Sequence, residues 1–195
     1  RIHETAFAIA LSAATLAYEV VELRAQTRFC GLATLRTVTE CTINLSFLAH
    51  KNDPDTWTRF RQYGSGQAHL ISTKLEGSLA SAHCVDPWWI NAFLQEEQAK
   101  HFTDIELGDW AGNNIRSRAQ QGGTKDLYDS YYDYSSSLLH GDWLGAATFG
   151  TTWDLNPFHR SQRIPRTYPR NLPSVIPDLF RVLNRLLDSL ESLFP

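Results

Sequence analysis

A chain of 195 residues with 43% apolar and 20% charged side chains has enough material to bury a substantial core and is too apolar to remain disordered. Its net charge of −3 excludes a surface built throughout for a polyanionic partner. Three cysteines, Cys30, Cys41 and Cys84, form no metal-ligand spacing and are expected as buried free thiols of an intracellular, cytoplasmic protein. The chain has no methionine and opens at Arg1, which predicts a truncated N-terminus.

Taken in order, the elements are nearly all helical. His3 to Arg24 places Phe7, Leu11, Ala14 and Tyr18 at helical spacing. Its uncharged run from Thr5 to Tyr18 is Ala-rich and shorter than the roughly 20 residues a membrane span needs. The expectation is therefore a helix buried inside a bundle, and no membrane partner. Phe29 to His50 follows, with a stripe of Leu32, Leu35, Val38, Cys41, Leu45 and Leu48. Asp53-Pro54 supplies an N-cap and a proline at the first helical position, opening a third helix toward Ser81 with an expected kink at Gly64 and Gly66. Asp86-Pro87 repeats the signal for a fourth, ending near His101. An ordered loop is expected over 102–114, a short helix over 114–121, and a longer one over 125–140 ended by Gly141. After a weak helical piece over 142–156 comes a Pro/Arg-rich arm at 157–173, and then an amphipathic helix over 174–194. No segment alternates with period 2. The expected architecture is an all-α multi-helix bundle over 1–156, an arm over 157–173, and a C-terminal helix over 174–195. That helix is expected to pack on the same bundle or to pair with a second copy in a homodimer.

Two polar stripes interrupt apolar helical faces. Arg36 and Glu40 stand four residues apart, and Tyr132, Ser136 and His140 repeat that spacing. A fixed guanidinium can hold an anion, and an imidazole can take and give a proton near neutral pH. Arg36, Glu40 and His140 are accordingly the candidate catalytic residues, with Ser136 as a weaker one. The simpler alternatives are an ordinary i, i+4 ion pair and a histidine favoured by a helix C-terminus. The run Ser135-Ser-Ser137 has no Gly-x-Ser-x-Gly elbow around it and reads as small hydroxyls at a tight helix crossing. His83, Cys84 and Asp86, like His101, Asp104, Glu106 and Asp109, lack the spacing of known metal sites, so no metal and no cofactor are expected. Trp88, Trp89, Trp110, Trp143 and Trp153 read as core and loop anchors.

Charge is uneven. No Lys or Arg occurs between Asp126 and His159, whereas Asp126, Asp129, Asp133, Asp142 and Asp154 do. Arg160, Arg163, Arg166 and Arg170, interleaved with Phe158 and Tyr168, make a basic arm able to contact RNA backbone and stack bases. The competing reading is a solvated connector that grips the acidic face of the bundle.

Four motifs occur in order: Arg36-Thr-Val-Thr-Glu40, Trp57-Thr-Arg-Phe-Arg-Gln-Tyr63, Leu107-Gly-Asp-Trp-Ala-Gly112 and Tyr132-x-x-Ser-Ser-Ser-x-x-His-Gly141. Over roughly residues 15 to 145 the chain thereby resembles a widespread prokaryotic helical family of unknown function. That family in turn is similar to the HEPN group of toxins and antiviral systems, many of them metal-independent ribonucleases. The resemblance implies a HEPN-like bundle, an Arg-x(4–6)-His site at a dimer interface, and a defence or stress setting. Only His140 matches that motif, because the corresponding positions are Ser135, Tyr134 and Asp133. Arg36 would have to bring the guanidinium from another helix. The missing motif arginine makes a helical interaction module of a defence or stress system the leading expectation, and the alternative, favoured by the clustered polar face, is a ribonuclease using His140 with Arg36 and Glu40.

Overall fold

A computed structural model describes residues 2–77, 86–101, 109–159 and 162–194, apart from the side chains of 75–77 and 96–101. The described residues are all-α in class, with a single two-stranded ribbon. In chain order the helices are α1 (Ile2–Glu22), α2 (Phe29–Lys51), α3 (Pro54–Gly77), α4 (Pro87–His101) and α5 (Ile115–Gln121). Then come α6 (Lys125–Leu127), a π-helical turn (Tyr128–Tyr132), α7 (Asp133–Leu139), α8 (Trp143–Gly150) and finally α9 (Ile176–Leu193). Between α8 and α9 strand β1 (Thr151–Trp153) pairs antiparallel with β2 (Arg163–Pro165).

The chain forms two compact units, residues 1–5 with 51–114, and residues 6–50 with 115–195. In the first, Asp53 caps α3 by accepting from the Thr56 amide at 3.0 Å and the Thr56 hydroxyl at 2.7 Å. Those bonds favour the carboxylate, with the Thr56 hydroxyl contributing most, and hold Asp53 below the ordinary aspartate range. Asp86 caps α4 in the same way, accepting from the Trp88 and Trp89 amides at 3.0 and 3.2 Å. As expected, α3 opens at Pro54 and runs to Gly77 as one helix through Gly64 and Gly66, and its expected end near Ser81 lies outside the described residues. Phe60 meets the buried Trp110 edge-on at 4.8 Å.

The second unit is centred on α2, whose Leu35, Val38, Thr39, Thr42, Ile43, Leu45 and Leu48 are almost wholly buried. Thr39 and Thr42 satisfy their hydroxyls on the carbonyls of Leu35 and Val38. Leu179, Val182 and Leu186 of α9 are buried as well, and the Ser46 and Ser189 hydroxyls meet at 2.7 Å. Gly122 follows α5 so closely along α2 that a Cβ there would lie 2.8 Å from the Phe47 amide nitrogen. Gly145 plays the same part between α8 and α7, where any Cβ would collide with the Leu138 carbonyl.

Several sequence expectations need correction. The buried face of α1 is Ala6, Ala10, Ala13, Ala17 and Val20, while Phe7, Leu11 and Tyr18 are exposed. By length and composition α1 is apolar enough to cross a membrane, a property that core helices share. Cys30 is exposed and Cys41 half-buried, whereas Cys84 lies outside the described residues. Of the tryptophans expected as anchors only Trp110 is buried; Trp88, Trp89, Trp143 and Trp153 are exposed. The His83–Cys84 pair and Asp104 and Glu106 also lie outside the described residues.

Candidate functional site

The segment from Lys125 to His140 is where the two polar stripes meet. It does not run as a uniform α-helix, because Tyr128–Tyr132 forms one π turn between α6 and α7. A π turn inserts an extra residue and re-aims the side chains that follow, a device common at functional sites. Here it stacks Tyr128 on Tyr132, with ring centroids 5.4 Å apart, and turns the Tyr132 hydroxyl toward α2.

Arg36 receives that face. Its Nη2 donates to the Tyr132 hydroxyl at 2.8 Å, its Nε donates to Ser136 Oγ at 3.4 Å, and its Nη1 pairs with Glu40 Oε2 at 3.4 Å. The guanidinium carbon also lies 4.6 Å from the Tyr132 ring centre. Ser136 Oγ in turn meets His140 Nε2 at 2.9 Å. A continuous chain, Glu40–Arg36–Ser136–His140 with Tyr132 beside it, therefore links α2 to α7. Arg36 and Glu40 are partly buried, with side chains 24% and 36% exposed, so the ion pair is neither a core pair nor a freely solvated one. His140 at the far end is exposed.

Local structure explains why His140 stands there. It is the C-cap of α7, with φ −80° and ψ 9°, and its amide donates to the Ser136 carbonyl at 3.2 Å. Gly141 follows at φ +69°, the left-handed position that ends helices and that glycine occupies without strain. Asp142 then caps α8 by accepting from the Gly145 amide at 3.1 Å. The three serines divide their tasks: Ser135 is buried and donates to the Tyr131 and Tyr132 carbonyls, and Ser137 donates to the Asp133 carbonyl. Only Ser136 faces the cluster.

The electrostatics concentrate on Tyr132. Burial and then the Glu40 carboxylate push its hydroxyl above the ordinary tyrosine range, while Arg36 and Arg118 pull the other way. The phenol stays protonated at neutral pH and can donate as well as accept. All four candidates, Arg36, Glu40, Ser136 and His140, are brought together. Sequence spacing placed Tyr132 on the same face without giving it a part in the site. Arg118, buried on α5, gave no sequence signal at all. Among the described residues no group of three or more His, Cys, Asp or Glu side chains could hold a metal ion.

An all-α chain with a partly buried string of one carboxylate, one guanidinium and hydroxyls that ends at an exposed imidazole is the class that fold and site define. Residues 12–156 match a family of unknown function, DUF5677, and the chain belongs to it. No curated protein and no solved structure matches it.

Proposed function

We propose that this domain is a HEPN-like, metal-independent ribonuclease of a prokaryotic defence or stress system, acting in the cytoplasm where RNA is found. The observation that carries the reading is the shared Ser136 hydroxyl: Arg36 lies on one side at 3.4 Å and His140 on the other at 2.9 Å. RNA cleavage needs a cation at the scissile phosphate and a base for the 2′-hydroxyl, and these two side chains supply one each. His140 takes the 2′-hydroxyl proton, and the 2′-oxygen bonds to phosphorus as the bond to the 5′-oxygen breaks. The leaving 5′-oxygen takes a proton from water. Arg36, steadied by Glu40, holds the non-bridging oxygens, and Tyr132 offers a further donor. The guanidinium that the HEPN motif carries on the same helix as its histidine would come here from α2.

The test is cleavage of single-stranded RNA by the purified chain in chelator. His140→Ala and Arg36→Ala should each lower the rate by 10² or more, the scale of general acid–base and electrostatic terms. Melting temperature should move little for His140→Ala, because that side chain is exposed. Unchanged cleavage in both variants rejects the reading.

A second reading has its own support. Every nitrogen of Arg36 already has a partner within the chain, so the cluster also suits a lock between α2 and α7 in an interaction module. In that case Arg36→Ala lowers the melting temperature, and no RNA is cut by either form.

A further inference from the structure

We propose that the ribbon and arm following α8 form a binding platform for single-stranded RNA. The composition changes abruptly there. From Leu155 to Pro177 no carboxylate occurs, while Arg160, Arg163, Arg166 and Arg170 do. This reverses the acidic balance of the preceding 125–154 stretch, so the arm supplies the attraction for a polyanion that the helices before it do not.

Two of these arginines, Arg163 and Arg166, are organised against rings. Trp153 lies directly opposite Arg163 in the β1–β2 register, and the guanidinium sits 4.4 Å from its ring centre. Arg163 is held there by donating to the Ala147 carbonyl at 3.1 Å and the Thr151 hydroxyl at 3.0 Å. Arg166 lies 5.5 Å from the Tyr168 ring and donates to the Thr151 carbonyl at 3.1 Å. The ribbon thus fixes two cation–ring pairs in place before any ligand arrives, which lowers the ordering cost of binding.

Exposure completes the case. Trp153 is 55% exposed, Phe158 93% and Tyr168 63%. A soluble fold gains nothing by leaving three rings in water along one arm. Bases of a single strand stack on such rings whatever their identity, while arginines meet the phosphates between them. A duplex hides its base faces and would gain only the charge. Along the chain the platform begins one helix after His140. At 1.5 Å per residue α8 is about 12 Å long, so a strand held on the arm can reach the histidine.

This inference deepens the ribonuclease reading but is tested apart from it. Fluorescence anisotropy on the full chain would use a labelled, fully 2′-O-methylated oligouridylate, which cannot be cut through its 2′-oxygen. Binding should weaken steeply with salt. Trp153→Ala and Phe158→Ser should each raise Kd at least fivefold, in keeping with the loss of one stacked base. Phe158→Ser also guards against misfolding, since that ring is almost wholly in solvent. His140→Ala should bind like the parent chain. If RNA is held but its natural form is never cut, the platform stands and the ribonuclease reading fails. RNA cut at the usual rate with Kd unmoved by both ring variants overturns the platform alone. Arm-dependent binding to anionic phosphatidylserine vesicles, with none to RNA, overturns it as well.

Discussion

Cys41 lies beside Glu40 on α2, at the inner margin of the polar cluster. Burial, and then the Glu40 carboxylate, raise its thiol from an ordinary 9.0 to about 11. The folded chain therefore holds this proton more tightly than the unfolded chain does. The stability it contributes is fully present below pH 9 and is lost as pH rises through 11. Tyr131 and Tyr132 are also raised, chiefly by burial, and add slope of the same sign at higher pH. Urea midpoints taken between pH 8 and 11 should fall with pH, and Cys41→Ser should remove the part of the fall that begins near pH 9. An identical slope in the variant refutes this account. A thiol reagent at neutral pH should modify Cys30 well before Cys41, because Cys30 is exposed and Cys41 is a protonated, half-buried thiol. At this scale the sequence was most legible where spacing alone decides contact. Arg36 with Glu40, and Ser136 with His140, follow directly from i, i+4 geometry. The meeting of the two pairs could be expected only from the cost of leaving buried polar groups unsatisfied, about 1–3 kcal/mol each.

Among the elements, caps and breakers carried most of the information. Asp53-Pro54, Asp86-Pro87 and Gly141 mark the ends of helices at the places the structure puts them. The face each helix buries was harder to read, and α1 shows why. Phe7, Leu11, Ala14, Tyr18 and Val21 share one set of spacings, and Ala6, Ala10, Ala13, Ala17 and Val20 share the same set one residue earlier. Periodicity cannot choose between two stripes 100° apart. Residue size favours the first, yet the alanine stripe is the buried one. The π turn had no sequence signature either, since Tyr128–Tyr132 fits an α-helix equally well. Close backbone approach makes a testable case at Gly122. A Cβ there would stand 2.8 Å from the Phe47 amide nitrogen and 3.0 Å from its Cα, both backbone atoms of the central helix. Gly122→Ala should therefore cost about 1–3 kcal/mol, the range for overpacking. That corresponds to a fall in Tm of roughly 2–4 °C per kcal/mol for a chain of this size. An unchanged thermal midpoint would show that α2 and the α5–α6 turn can part without cost.

For the whole molecule the open question is what covers its outward apolar stripes. On α9 the inner stripe of Val175, Leu179, Val182 and Leu186 is buried, and the Arg185 guanidinium fastens the helix by donating to the Gly123 carbonyl at 2.8 Å. One residue further on, Ile176, Phe180, Leu183 and Leu187 make a second row with the spacing i, i+4, i+7, i+11. Phe180 is 68% exposed and Leu187 49%. An amphipathic helix needs one such row to dock on its own bundle, so the second is surplus to the intramolecular contact. Beside it, Phe7 of α1 stacks on Phe194 at 5.5 Å, with its own outer stripe of Leu11 and Tyr18 exposed. We expect two copies to pair through the outer row of α9, which repeats with the period that lets helices interlock. Light scattering of the full chain should give twice the protomer mass of 22.1 kDa. Phe180→Asp with Leu187→Asp should return the monomer without loss of helicity, because neither side chain belongs to the buried stripe. The RNA platform lies on a different segment, so this double variant should bind the methylated oligouridylate as a monomer, though any gain from two linked platforms would go. A parent chain that scatters as 22.1 kDa at micromolar concentration and above rules out this pairing.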